Sequence, residues 1–182
     1  MNSDQKLLES AISLVKALDK EADEFLPIEI SDVVKLHSKI AVGSAWIPIP
    51  GIDALAGGAN IWTMYGRINS KLGFTIKDNV LKTVASGVAT NLASYLAVSG
   101  VASALKFIPG LGSIGGGIVM SASLYAVTLA SGYVYLKALF YLARQKGPQM
   151  HDLSGLGDAI NAALKDSSIS DFINDAKQEY KK

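Results

Sequence analysis

A long run without charge, interrupted once, sets the main constraint on this chain. No Asp, Glu, Lys or Arg occurs from Thr83 to Leu105, and after Lys106 none occurs from Phe107 to Leu136. A helix of about 20 residues rises about 30 Å, the thickness of a bilayer's hydrocarbon core. Each arm is therefore long enough to span. Ile108-Pro109-Gly110-Leu111-Gly112 bends the chain between the two arms. The pattern predicts a helical hairpin over 83–136 that rests in lipid or against other polypeptide.

The ends of the 182-residue chain are more polar. Apolar residues make up 49% of the sequence and charged residues 18%, against about 25% charged in ordinary soluble domains. Mean hydropathy is +0.29, as expected for polar ends around an apolar middle. Lys plus Arg is 17 and Asp plus Glu is 16, so a net +1 gives no electrostatic case for nucleic acid. Without cysteine, disulfides and thiolate chemistry are excluded. Met1 to Lys20 lacks the apolar core and small-residue cleavage site of a signal peptide.

Helical periodicity organises the rest. Leu7, Ala11, Leu14, Val15, Leu18, Ala22 and Phe25 form one apolar stripe, and Pro27 ends that amphipathic helix. Ser31 is placed to cap the next helix, predicted to run through Trp46. Pro48, Pro50 and Gly51 then break the chain, and Asp53 is placed to cap a third helix that stops near Gly73. Thr75-Ile76-Lys77-Asp78 fits a capping box that opens a long helix to about Lys106. Pro109, Gly110 and Gly112 form the second break. Ser113 caps the last long helix, which ends near Gly147-Pro148 after Arg144 and Lys146. In the tail, Leu153, Leu156, Ile160 and Leu164 mark one stripe. Ile169, Phe172, Ile173, Ala176 and Tyr180 mark another, opened by the Ser168-Ile169-Ser170-Asp171 capping box. No run alternates with period two.

Trp46-Ile47-Pro48 followed by Gly51 is echoed by Phe107-Ile108-Pro109 followed by Gly110 and Gly112. The fold class is therefore all-α, with two consecutive helical hairpins broken at Pro/Gly turns and amphipathic helices at both ends. The domain plan is an N-terminal helix over 1–30, a hydrophobic double-hairpin domain over 31–147 and a helical tail over 148–182.

Residues able to carry chemistry are sparse. Gly110-Leu111-Gly112-Ser113-Ile114-Gly115 matches G-x-G-x-x-G, but a helix precedes it and no acid follows until Asp152, so it reads as a tight turn. There is no G-x-x-x-x-G-K-[ST] and no G-x-S-x-G. His37 and His151 are the only histidines, and neither has metal-ligand spacing. No catalytic, cofactor or metal site is expected. Asp53, the only acid between Asp32 and Asp78, reads as a helix cap, with an intramembrane or interfacial acid as its functional alternative.

Small residues carry a further signal. Ala85, Ala89, Ala93 and Ala97 recur every fourth position, as do Ala122, Ala126 and Ala130; Gly112 and Gly116 share this spacing. Such stripes let helix backbones approach closely. Ala89, Asn91, Ala93, Gly116, Ala126, Thr128 and Gly132 are the expected helix-packing positions, with Asn91 facing protein because its amide needs partners.

Lys71, Lys77, Lys82, Lys137, Arg144 and Lys146 sit at the open end of the second hairpin and only Lys106 at its tip, so insertion would leave both termini cytoplasmic. The first hairpin is too short to cross once Pro48 breaks it.

Pro48-Ile49-Pro50-Gly51-x-Asp53, Met64, Leu72-Gly73, Lys106 to Gly112 with Gly115-Gly116, and Ala126-x-Thr128-x-Ala130-x-Gly132 together resemble the hydrophobic helical domain called domain of unknown function 697. The likeness runs from about Leu36 to Leu142. That domain occurs alone or behind an Era-type GTPase domain, and some members are inner-membrane proteins. The resemblance implies a membrane-associated helical module that serves a GTPase in trans, and no catalysis. The sequence-level expectation is a non-enzymatic protein at the cytoplasmic (inner) membrane, self-associating through its small-residue stripes. The alternatives are a soluble helical homo-oligomer or a conditionally inserting, pore-forming protein.

Overall fold

The computed structural model describes residues 3–44, 52–74, 113–147 and 153–166, together with the helical positions Leu81, Lys82, Val84, Ala85, Gly87, Val88, Asn91 and Asp171. The chain is all-α. Among the described residues five helices follow in order: α1 (Ser3–Phe25), α2 (Ile28–Ser44), α3 (Ile52–Leu72), α4 (Ser113–Lys146) and α5 (Leu156–Lys165). No strand occurs among these residues.

Proline sets the first boundary. Pro27 has no N–H to continue α1, whose last turn closes with Leu26 N–H donating to the Ala22 carbonyl at 2.9 Å. The Pro27 carbonyl then accepts from Ile30 and Ser31 at 2.9 and 2.8 Å, so α2 starts at once. Ser31 is therefore not the cap expected from sequence. It lies one turn inside α2, fully buried, and its hydroxyl donates to Asp23 Oδ1 at 2.8 Å. Pro27 supplies the first carbonyl instead. α2 is described as far as Ser44, and the predicted end at Trp46 lies outside the described residues.

α3 begins at Ile52, with Asp53 in its first turn, and its end is fixed by Gly73. Gly73 takes φ +76°, a left-handed conformation that costs glycine little. It lets Phe74 N–H reach the Asn69 carbonyl at 2.8 Å and Gly73 N–H the Ser70 carbonyl at 3.4 Å, which is the Schellman stop. The Pro48, Pro50 and Gly51 turn, the Thr75 capping box, the Pro109, Gly110 and Gly112 turn and the Ser168 capping box lie outside the described residues.

α4 is the spine. It packs against α1, α2, α3 and α5. Phe25 meets Tyr133 edge to face at 5.8 Å, and Asp19 meets Tyr125, so α1 and α4 run in the same direction. α2 and α3 run antiparallel: His37 pairs with Asn60, while Val33 and Leu36 line a groove with Arg67 and Ser70. Tyr125, Leu129, Tyr135 and Leu142 of α4 are among the largest fully buried side chains, with Ile61, Met64, Tyr65 and Ile68 of α3. Each such side chain contributes about 1.5–3 kcal/mol through burial. Leu156, Ala159, Ile160 and Ala163 make the buried face of α5, the stripe read from Leu156 and Ile160.

Leu124–Lys146 is the segment of α4 long and apolar enough to cross a membrane, with mean hydropathy 1.3, and 72% of its apolar window is buried inside the protein. The helices covering it carry charge on their outer faces: Glu9, Lys16 and Glu24 on α1, Glu29, Asp32 and Lys39 on α2, Arg67 and Lys71 on α3, Asp158 and Lys165 on α5. This half of the second arm is thus covered by the chain's own amphipathic helices.

Candidate functional site

Side chains of different helices converge at several places among the described residues. The first is a polar seam inside the bundle. Tyr65 on α3 and Tyr135 on α4 stack with centroids 3.9 Å apart and planes 9° from parallel. Tyr65 donates to the Ser131 carbonyl at 3.2 Å, and Tyr135 donates to Asn69 Oδ1 at 2.8 Å. Ser131 Oγ turns back to the Val127 carbonyl at 2.6 Å, freeing no hydroxyl for the seam. Burial pushes the Tyr65 phenol well above its ordinary value, with the neighbouring Tyr135 adding to the effect. Both phenols act as neutral hydrogen-bond donors that fix how α3 seats on α4.

The second is the clamp between α2 and α3. Asn60 Nδ2 donates to the His37 carbonyl at 2.8 Å, which fixes the amide so that Oδ1 faces His37 Nδ1 at 2.8 Å. An acceptor oxygen there requires the proton on Nδ1. His37 Nε2 is then a buried acceptor with no hydrogen-bond partner. Burial lowers the His37 pKa first of all, and Arg67 lowers it further against the opposing hydrogen bond from Asn60. The ring is a buried, neutral group that joins α2 to α3 through Asn60. No cluster of three or more His, Cys, Asp or Glu residues able to hold a metal occurs among the described residues.

The third is a shallow groove of about 360 Å³ where α1 ends beside α4, lined by Phe25, Tyr133, Leu136, Lys137, Phe140, Tyr141 and Arg144. Phe140 stands 61% exposed at its edge. Lys137 pairs with Asp166 at 2.8 Å, and Tyr141 also donates to Asp166, tying the end of α5 to this wall.

The sequence-predicted packing positions separate clearly. Ala126 and Thr128 are buried on α4. Gly132 abuts α2 so closely that an added Cβ would lie 2.4 Å from Val34 Cγ2. These three are covered within the chain itself. Asn91 is exposed in the single chain, and its amide donates to the Gly87 carbonyl one turn back at 2.8 Å. Gly116 falls within α4 and Asp53 within α3, but their surroundings lie outside the described residues. So do Ala89, Ala93 and the Pro/Gly turn residues.

Sequence reasoning missed the long-range polar pairs. Tyr125 with Asp19, Tyr135 with Asn69 and His37 with Asn60 join different helices. A usable signal existed: a phenol in a charge-free helix needs an acceptor when buried. Comparison with known protein families, with curated proteins and with solved structures finds no match to this chain.

Proposed function

We propose that this chain is a non-enzymatic, membrane-associated helical module, with a water-facing bundle and an apolar segment that docks on the bilayer. The observation behind it is the sequence between residues 83 and 124, which holds a single charged side chain, Lys106. The bundle around the other half of α4 has charge facing outward on every covering helix. The apolar and charged parts are thus divided along one 34-residue helix.

The packing limits the depth of docking. Tyr125 is held by Asp19 and Ser121 is buried in the protein, so only Ser113 to Met120 of α4 precedes the first described buried position of the helix. That length rises about 12 Å, short of the roughly 30 Å hydrocarbon core. The reading is therefore a segment that enters one leaflet, with the bundle remaining on the cytoplasmic side.

Membrane fractionation followed by a carbonate wash tests this. The protein is expected to stay in the pellet and to float with liposomes. Complete release into the wash, with no flotation, would overturn the reading. A helical interaction module working in water is the second reading, favoured by the 72% burial of the apolar window of α4. It predicts good recovery without detergent and no flotation.

A further inference from the structure

α2 turns one face away from the protein. Ile30, Val34, His37 and Ala41 are buried against the bundle, while Ile28, Leu36 and Ile40 are 77%, 46% and 49% exposed. At 100° per residue, Asp32, Leu36, Lys39 and Ile40 share one outward arc of about 100°. On the α3 side, Arg67 and Lys71 border a groove of about 400 Å³ beneath Leu36.

The charges on this arc are ordered. Glu29 and Asp32 lie toward the N-terminal end of α2 and Lys39 toward its C-terminal end, with Leu36 between them. A second α2 laid antiparallel across Leu36 brings residue 36−n opposite residue 36+n. Asp32 of each copy then meets Lys39 and Ile40 of the other, and symmetry repeats the pair. Parallel packing would set Asp32 against Asp32.

We propose that this face is a self-association surface. Two copies pack α2 against α2, antiparallel about a two-fold axis near Leu36, with Leu36 and Ile40 shielded from water and Asp32 of each copy paired with Lys39 of the other. Isologous contacts of this kind need self-complementary charge, which the order of Asp32, Leu36 and Lys39 supplies. The surface lies on the charged bundle, so the proposal does not depend on membrane docking.

The chain contains no cysteine, so a single introduced thiol reports cleanly. Full-length Leu36→Cys is expected to give a covalent dimer with a short bismaleimide. Ile12→Cys on α1, at a residue 45% exposed, is expected to give little. In the Leu36→Cys background, Asp32→Lys or Lys39→Asp alone should cut dimer yield about fivefold to tenfold, and the double swap should restore it. Circular dichroism checks that helix content is unchanged; should a charge variant lose helix, the Leu36→Cys and Ile12→Cys comparison decides alone. Equal cross-linking of the two thiols, or a double swap no better than the single ones, would overturn the proposal. Protection of the Leu36→Cys thiol by liposomes in place of cross-linking would assign the face to lipid and overturn it as well.

Discussion

Gly132 of α4 sits directly beneath Val34 of α2. A Cβ built on Gly132 would lie 2.4 Å from one Val34 methyl and 2.7 Å from the other. Both residues are buried, and Val34 is 0% exposed, so neither can turn toward solvent. Gly132→Ala therefore forces α2 and α4 apart and should destabilise the bundle by about 1–3 kcal/mol. Val34→Ala alone should also destabilise it, by leaving a void. The double variant should be more stable than the sum of the two losses predicts, because the new methyl fills that void. Urea unfolding followed by circular dichroism measures all three. Additive losses would mean that the contact does not govern helix separation.

The Tyr65 and Tyr135 stack gives a second test. Tyr135→Phe keeps the ring but leaves Asn69 Oδ1 without its donor in a buried site. The cost should be about 1–3 kcal/mol, from an acceptor desolvated and unbonded. Adding Asn69→Leu to that variant should recover part of the loss, since both polar partners are then gone. Unfolding midpoints of the two variants check the order; a double variant less stable than Tyr135→Phe would show that Asn69 has a separate structural role.

Much of the helix plan was legible in local chemistry, because a boundary is set by a few adjacent residues. Pro27 stops α1, Gly73 stops α3, α4 ends at Lys146 just before Gly147, and the Leu156 and Ile160 stripe becomes the buried face of α5. Ser31 was misread because proline's carbonyl had already taken the capping place. The environment of α4 was not legible. Absence of charge says that a helix avoids water, and it is equally consistent with lipid and with the chain's own helices. The covering helices were visible only as separate amphipathic stripes. Their assignment to α4 rests on pairs far apart in sequence, such as Asp19 with Tyr125 and Tyr65 with Ser131. Asn91, expected to face protein, has one amide N–H bonded within its own helix.

Stability should fall on mild acidification, with His37 the cause. Burial holds its pKa below the ordinary 6.5, so as pH drops the unfolded chain takes up the proton first. The stabilisation is complete above about 6.5, declines below it, and is fully lost once pH passes the folded value. Asp23 acts lower. Lys35 and Ser31 hold its carboxyl below 3.8, so its contribution persists above 3.8 and is lost as pH falls through the folded value. Unfolding free energies from pH 7 to pH 4.5 should therefore slope downward, and His37→Gln should flatten that slope. An unchanged slope in the variant would place the acid sensitivity elsewhere.

The Asp166 carboxylate ties the end of α5 to α4. Asp166 pairs with Lys137 at 2.8 Å and accepts from Tyr141, both on the wall of the aromatic groove. The ion-paired side chains are 21% and 27% exposed, so solvent screens much of their attraction. Asp166→Ala should then cost the whole protein no more than about 1 kcal/mol. The local effect should be larger than the global one, because the buried face from Leu156 to Ala163 still seats α5 while the tether just beyond its last turn is lost. Amide exchange over 156–165 should quicken in Asp166→Ala. Asp166→Asn keeps an acceptor for Tyr141 without the charge, so it should fall between Ala and wild type. Identical exchange in all three proteins would show that the apolar face of α5 is sufficient to hold it.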